Sequence, residues 1–205
     1  MGLFQQLTEK PWLTVEGSVV DLHHRRAFDL PTVKLGLRVF LVVVTVVFSL
    51  IVITYADRMV FGDWGSLPKL WVLWLNTGIL IASSVALQRA WVSARRGQIE
   101  GVRAGLFQAG ILSFAFLAGQ LWAWQQLAAL GYFVATNPAS AYFYLITALH
   151  GLHLLGGLVA WGRTTAKVRR GWEADQVRLS VELCAIYWHF LLVVWVVLFG
   201  LLLFS

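Results

Sequence analysis

Residues 181–204 read VELCAIYWHFLLVVWVVLFGLLLF, an apolar run in which Glu182 is the single charged residue. A helix rises about 1.5 Å per residue, so about 20 apolar residues cross the ~30 Å hydrocarbon core of a bilayer. An isolated strand cannot satisfy its own backbone groups in lipid, whereas a helix can. This stretch therefore predicts a transmembrane helix and makes the chain an integral membrane protein.

Four more apolar runs of similar length precede this one. The 205-residue chain is 59% hydrophobic and only 13% charged, against about 25% charged in a typical soluble domain. With one cysteine, Cys184, the chain has neither an intrachain disulfide nor a cysteine-clustered metal site. We predict an all-α polytopic bundle of five transmembrane helices, at residues 35–55, 67–87, 104–129, 141–161 and 181–204.

The charge pattern predicts the orientation of this bundle. The segment 88–103 carries four arginines, 162–180 carries five basic residues, and 130–140 carries no lysine or arginine. Basic loops stay on the cytoplasmic side, so we expect a cytoplasmic N-terminus and a periplasmic C-terminus. The net charge of +6 thus reports topology, and nucleic acid is not an expected partner.

The N-terminal segment, residues 1–32, has basic residues but no apolar core of the kind that a signal peptide carries. We expect it to be a cytoplasmic arm, followed by a transmembrane domain over residues 33–205. Most of the 11 tryptophans fall near span ends, the pattern of an interfacial aromatic belt.

Polar side chains within the predicted spans need an explanation, because hydrocarbon disfavours them. His150 and His153 are spaced i, i+3 on one face of the fourth span. Glu182 and His189 lie on one face of the fifth, with His189 level with His153, so that the two rings would be able to face each other. Three hypotheses follow: a bis-histidine b-type haem site, a metal site, and structural ties in which each ring bonds a neighbouring group. The residues favour the third.

Other polar and small residues suit helix packing. Asn76, with Ser83 and Ser84, in the second span and Gln120 in the third are placed for interhelical hydrogen bonds. Small residues let helices approach closely; those expected to do so are Ala115, Gly119, Gly156 and Gly157. A transporter is poorly supported, because Glu182 is the single acid within a span and no matching pair of broken spans is present.

Two histidine-containing motifs, one in each of the last two predicted spans, resemble those of a known family. Residues 142–153, YFYLITALHGLH, resemble the F-Y-x-x-T-G-x-H-G-x-H signature of haem-copper oxidase (cytochrome c oxidase) subunit III, and residues 182–195, ELCAIYWHFLLVVW, resemble its closing E-x-x-x-x-Y-W-H-F-x-D-x-V-W motif. Asn76 and Gln120 add weaker matches. The resemblance covers about residues 33–205 and is closest to the short, five-helix bacterial form.

The resemblance implies a non-redox structural subunit of a proton-pumping cytochrome c oxidase in the bacterial inner membrane. Such a subunit holds no haem, copper or catalytic centre. These cofactors belong to subunits I and II, and the subunit packs on subunit I, near subunit II and a small subunit IV, and binds phospholipid. The positions expected to serve packing and lipid contact are Asn76, Gln120, His150, His153, Glu182, Trp188, His189 and Trp195.

Three departures from the family pattern bear on proton transfer. Val44, Ala123 and Leu192 stand where the family usually carries buried acids, which counts against a proton-antenna role and suggests a divergent subgroup. The electron donor stays open, so the equivalent subunit of a quinol oxidase or a nitric oxide reductase is an alternative. A stand-alone bis-histidine haem protein is the alternative from another class.

Overall fold

Helices joined by short turns make up nearly all of the computed structural model, which describes residues 32–62, 64–65, 68 and 70–204. The expected arm, residues 1–32, lies outside the described residues except for Thr32. Each helix is long and apolar enough to cross a membrane, and the prediction of an all-α fold with five such helices is confirmed. The helices are α1 (Thr32–Arg58), α2 (Trp71–Arg95), α3 (Ile99–Ala129), α4 (Pro138–Arg169) and α5 (Ala174–Phe204).

Glycine ends three of these helices in the same way. Gly97, Gly131 and Gly171 follow α2, α3 and α4, with φ of 69°, 83° and 84°. At each end the glycine N–H and the next residue's N–H bond carbonyls of the last turn, as in Gln98 N to Ser93 O at 2.9 Å. This is the Schellman arrangement, which favours glycine because left-handed backbone strains other residues.

The start of α4 is equally well defined by its sequence. Asn137 is the N-cap, and its side-chain oxygen accepts hydrogen bonds from the Ser140 N–H at 2.8 Å and the Ser140 hydroxyl at 2.9 Å. Pro138 occupies the first turn, where its missing N–H costs nothing. The Asn137-Pro138 pair therefore sets where the fourth span begins.

Helices α2, α3, α4 and α5 form a closed ring in which each packs on two others: α2 on α3 and α5, and α4 on α3 and α5. The main core lies inside this ring and includes Trp188, Trp195 and Phe116. The part of α1 from Leu37 onward lies outside the ring, where Val44 and Phe48 pack against Ile146 of α4 and Leu198 of α5.

Glycines mark the closest helix approaches. A Cβ atom at Gly105 of α3 would lie 2.8 Å from the Ala86 carbonyl oxygen of α2, and one at Gly119 would overlap the Asn76 side chain. On α4, a Cβ at Gly157 would lie 2.7 Å from Tyr187 Cε1 of α5. No described atom comes within 4 Å of such a Cβ at Gly156, so the expectation of close approach holds for Gly157 and is wrong for its neighbour.

Eight of the tryptophans fall into two groups of four, one exposed and one hydrogen-bonded across helix interfaces. Trp71, Trp74, Trp122 and Trp172 have 43–62% of their surface exposed. Four others donate their ring N–H across a helix interface; two of them, Trp188 and Trp195, stand among the predicted packing positions. These bonds run from Trp124 to Thr147 Oγ1, from Trp161 to Leu106 O, from Trp188 to Ser113 Oγ and from Trp195 to Thr77 Oγ1.

Candidate functional site

Buried polar side chains connect α2, α3 and α5 at the centre of the ring. The Trp188 ring N–H of α5 donates to Ser113 Oγ of α3 at 3.1 Å, and Ser113 Oγ lies 3.0 Å from Ser83 Oγ of α2. Both serines also donate to Ala109 O, at 2.7 and 3.2 Å. Trp188, Ser83 and Ser113 are fully buried, so one network joins three helices without access to lipid or water.

His189 of α5 bonds α2 through both ring nitrogens. Nδ1 forms a short hydrogen bond with Ser84 Oγ, and Nε2 lies 2.9 Å from Gln88 Oε1. Ser84 and Gln88 are four residues apart and therefore share one face of α2. These two hydrogen bonds fix both the rotation of α5 about its axis and its position along α2.

His153 of α4 is placed quite differently. Its Nδ1 lies 2.8 Å from the Leu149 carbonyl of its own helix, and its ring packs 5.3 Å from the Phe48 ring of α1. The Tyr187 hydroxyl of α5 donates to the His153 carbonyl at 2.9 Å. Because Tyr187 and His189 are two residues apart on a helix, they point to nearly opposite sides. The idea that the two imidazoles face each other is therefore wrong.

His150 occupies the most enclosed position of the three. The ring is 0% exposed and lies among the rings of Phe48, Phe116 and Trp195, with centroids 6.5, 5.8 and 5.1 Å away. Neither ring nitrogen has a hydrogen-bond partner among the described residues. The expectation that each ring donates to a neighbouring group is wrong for His150, because the neighbours that pack on it are aromatic faces and edges.

The remaining predicted positions lie in the same core. Asn76 Nδ2 donates to Gln120 Oε1 at 3.3 Å, joining α2 to α3. Trp195 donates to Thr77 Oγ1 at 3.0 Å. Glu182 is half-buried on α5, seven residues before His189 and so on the same side of the helix. The structure therefore brings Asn76 with Gln120 and His150 with Trp195 into contact, and it places His153 and His189 on different interfaces.

The placement of His153 and His189 does not fit the bis-histidine haem hypothesis. A bis-histidine haem needs two imidazole nitrogens directed at one iron atom, whereas His189 bonds α2 through both ring nitrogens and His153 lies against Phe48 of α1. Within the described residues no group of three or more His, Cys, Asp or Glu side chains is arranged to hold a metal ion. The arrangement instead connects helices.

The positions that lack the family's acids lie in apolar surroundings. Val44 is 2% exposed and packs with Phe48, Ile146 and Leu198. Ala123 is 0% exposed within the main core, and Leu192 packs against that core while half-buried. A carboxylate at Val44 or Leu192 would need a polar partner that the neighbouring apolar side chains do not supply.

Several structural residues were not singled out from the sequence. Gln88 follows Ser84 by four residues, so helical spacing was a signal that linked it to the same face. Ser113 carried no such signal, because it is the single polar residue of an apolar run. The contact between Gly110 and Trp161 carried none either. The ring of Trp161 fills the space that a side chain at Gly110 would occupy, and this depends on how α3 crosses α4.

The fold and this site define a class: a polytopic membrane protein whose buried polar side chains join its helices. A sequence model of cytochrome c oxidase subunit III matches residues 13–204, beginning within the segment assigned above to an arm. The cytochrome c oxidase subunit 3 of Thermostichus vulcanus is 32% identical over 91% of this chain and 94% of that protein. The chain therefore belongs to the cytochrome c oxidase subunit III family.

Two other relatives match a smaller share of this chain. The probable cytochrome c oxidase subunit 3 of Mycobacterium tuberculosis is 34% identical over 62% of this chain and 63% of the relative. The probable subunit 3 of Nocardia farcinica is 29% identical over 60% and 61%. The family assignment thus confirms the resemblance drawn from the two histidine-containing motifs.

Proposed function

We propose that this chain is the non-redox subunit III of a proton-pumping cytochrome c oxidase in the inner membrane of a bacterium. The observation that carries the proposal is the family match over residues 13–204, joined by a relative of similar length named for that subunit. In the proposed complex, subunits I and II hold the haem and copper and reduce oxygen to water. This chain packs chiefly on subunit I, with subunit II and a small subunit IV nearby.

The geometry supports a structural role for the buried polar residues. Trp188, Trp195 and His189 each bond a different polar group on α2 or α3. Interhelical hydrogen bonds in membranes contribute about 0.6–2 kcal/mol each. Several such bonds hold the ring in one arrangement and so present a fixed outer surface to neighbouring subunits and lipid.

Burial leaves only a few of the eight predicted packing and lipid positions able to contact lipid. His150, Trp188, Trp195, Asn76 and Gln120 are all buried. The half-buried ones are Glu182, His189 and His153. We propose packing roles for the first five and assign any lipid or subunit contact to the last three.

The three apolar residues at the family's acidic positions bear on how this chain would support turnover of the oxidase. Val44, Ala123 and Leu192 offer no titratable group where the family pattern has acids. We therefore propose that this chain sustains proton uptake by stabilising the fold and lipid surroundings of subunit I, and that protons travel within the partner subunits.

Purification of the tagged chain from its native membranes tests the proposal. We expect a haem- and copper-containing subunit I and a copper-containing subunit II to co-purify, with oxygen reduction supported by reduced cytochrome c. After separation from these subunits, the chain itself should show no Soret band. A reduced b-type spectrum in the separated chain, or co-purification without any haem-copper subunit, would count against the proposal. Turnover with quinol but not cytochrome c would reassign the donor.

A further inference from the structure

A groove follows the seam between α2 and α3 on the outside of the ring. Its apolar part has a volume of about 640 Å³ and lies between side chains such as Val85 and Ala82 of α2 and Phe107 and Ile111 of α3. This volume falls within the ~300–1,000 Å³ typical of small-molecule sites. Four of these side chains are exposed, so in a membrane the groove opens toward lipid.

The groove continues toward the end of α2 that carries arginines. This second part, about 450 Å³, is lined by Arg89 and Arg96 together with small residues such as Gly101 and Gly105. Arg89 and Gln108 line both parts, so the apolar and basic parts are continuous. Arg89 lies in the last two turns of α2 and Arg96 caps its C-terminus, and both line this basic part of the groove.

The lining of this groove is positively charged where the structure describes it. Neither part is lined by a carboxylate among the described residues. Glu100, at the start of α3, bonds Arg103 at 2.9 Å. At the floor of the basic part, Gly105 lets α3 approach α2 closely, since a Cβ there would lie 2.8 Å from Ala86 O. The apolar part of the groove therefore leads to two guanidinium groups that have no carboxylate beside them among the described lining residues.

We propose that this groove binds a phospholipid with a net negative headgroup, with one acyl chain along the apolar part and the phosphate at Arg89 and Arg96. Guanidinium groups bind phosphate oxygens bidentately, and basic pockets between transmembrane helices hold anionic headgroups. A zwitterionic lipid brings its own ammonium group and so leaves less charge for the arginines. The inference rests on the lipid-binding part of the proposed function and names the lipid class and the site.

Native mass spectrometry of the purified protein with its co-purifying subunits tests the site. The protein is exchanged into detergent with equal amounts of phosphatidylglycerol and phosphatidylcholine, and bound lipid is counted. We expect wild type to retain phosphatidylglycerol and R89Q/R96Q to lower the apparent affinity for this lipid roughly thirtyfold. The estimate takes ~1 kcal/mol for each arginine and about tenfold in affinity per 1.4 kcal/mol. The matched control R169Q/R170Q removes two exposed charges at the end of α4 and should retain the lipid.

A steric variant gives a second, independent measurement. Ala82→Phe keeps both arginines but fills the apolar part of the groove, so it should also lose the lipid. Equal retention in wild type and R89Q/R96Q, equal loss in both arginine pairs, or equal retention of the two lipids overturns the proposal. Crosslinking from residue 85 to another subunit, with no lipid retained, would show a protein occupant instead. Co-purifying subunits are identified in the same spectra, so a failed lipid site is distinguished from a failed assignment to an oxidase.

Discussion

At the scale of single residues, His150 is the most unusual side chain in the described structure. Buried polar atoms nearly always have a hydrogen-bond partner, yet both ring nitrogens of His150 lack one among the described residues. Aromatic rings of Phe48, Phe116 and Trp195 surround it, from α1, α3 and α5 respectively. His150 therefore fills space at the point where four helices meet, and no described neighbour pairs with its ring nitrogens.

Replacement of His150 by leucine should therefore leave the stability of the isolated chain unchanged or raise it. An unpaired buried polar group costs about 1–3 kcal/mol, and leucine is apolar and of similar size. The measurement is the midpoint of thermal unfolding in detergent. His189→Leu is the control, because it removes both bonds to α2 and should cost roughly 1–2 kcal/mol. A lower midpoint for His150→Leu than for His189→Leu would contradict this account.

The histidines also show how far the sequence predicts the site. Helical spacing predicted a depth and a face for each ring, and the structure places His150 and His153 in one helix, α4. Spacing along a helix does not say which neighbouring helix lies opposite that face. That choice depends on how the helices cross, which is why Ser84 and Gln88, and not His153, turned out to contact His189.

At the scale of helices, hydropathy located every span but underestimated its length. The second span was predicted to end at residue 87, whereas α2 continues to Arg95; the fourth was predicted to end at 161, whereas α4 continues to Arg169. Both extensions run toward the basic loops. Hydropathy reports the residues in hydrocarbon, while backbone hydrogen bonding continues through the charged interface until Gly97 and Gly171 stop the helices.

Two adjacent glycines on α4 provide a matched test of the α4–α5 packing. Gly157→Ala should destabilise the chain by about 1–3 kcal/mol, because the added methyl would lie 2.7 Å from Tyr187 Cε1 and 3.0 Å from Trp188 Cζ3. Gly156→Ala has no described neighbour within 4 Å and should be neutral or slightly stabilising, because alanine favours helix over glycine. Thermal unfolding of both variants in one detergent measures the difference, and equal midpoints would refute this packing.

At the scale of the whole molecule, α1 is attached differently from the other helices. Tryptophan and serine hydrogen bonds join α2, α3 and α5, and Trp124 and Trp161 join α3 to α4. From Leu37 onward α1 packs on α4 and α5 through apolar and aromatic side chains such as Phe48, and most of its surface faces outward. Polar bonds hold the four-helix ring together, whereas α1 lies outside it and is attached through apolar contacts. This makes α1 the element best suited to contact a neighbouring subunit or lipid.

The orientation in the membrane is the last prediction, and the buried cysteine makes it simple to test. Cys184, the single cysteine of the chain, is 4% exposed, so wild type should react little with a membrane-impermeant maleimide. The exposed Ala135, in the turn between α3 and α4, is predicted to be periplasmic, and Gln98 and Glu173 cytoplasmic. Ala135→Cys should be labelled in intact spheroplasts, and Gln98→Cys and Glu173→Cys only after permeabilisation. These three substitutions keep every arginine and lysine, so the charge bias that sets the topology is preserved, and the reverse labelling pattern would place the basic loops outside.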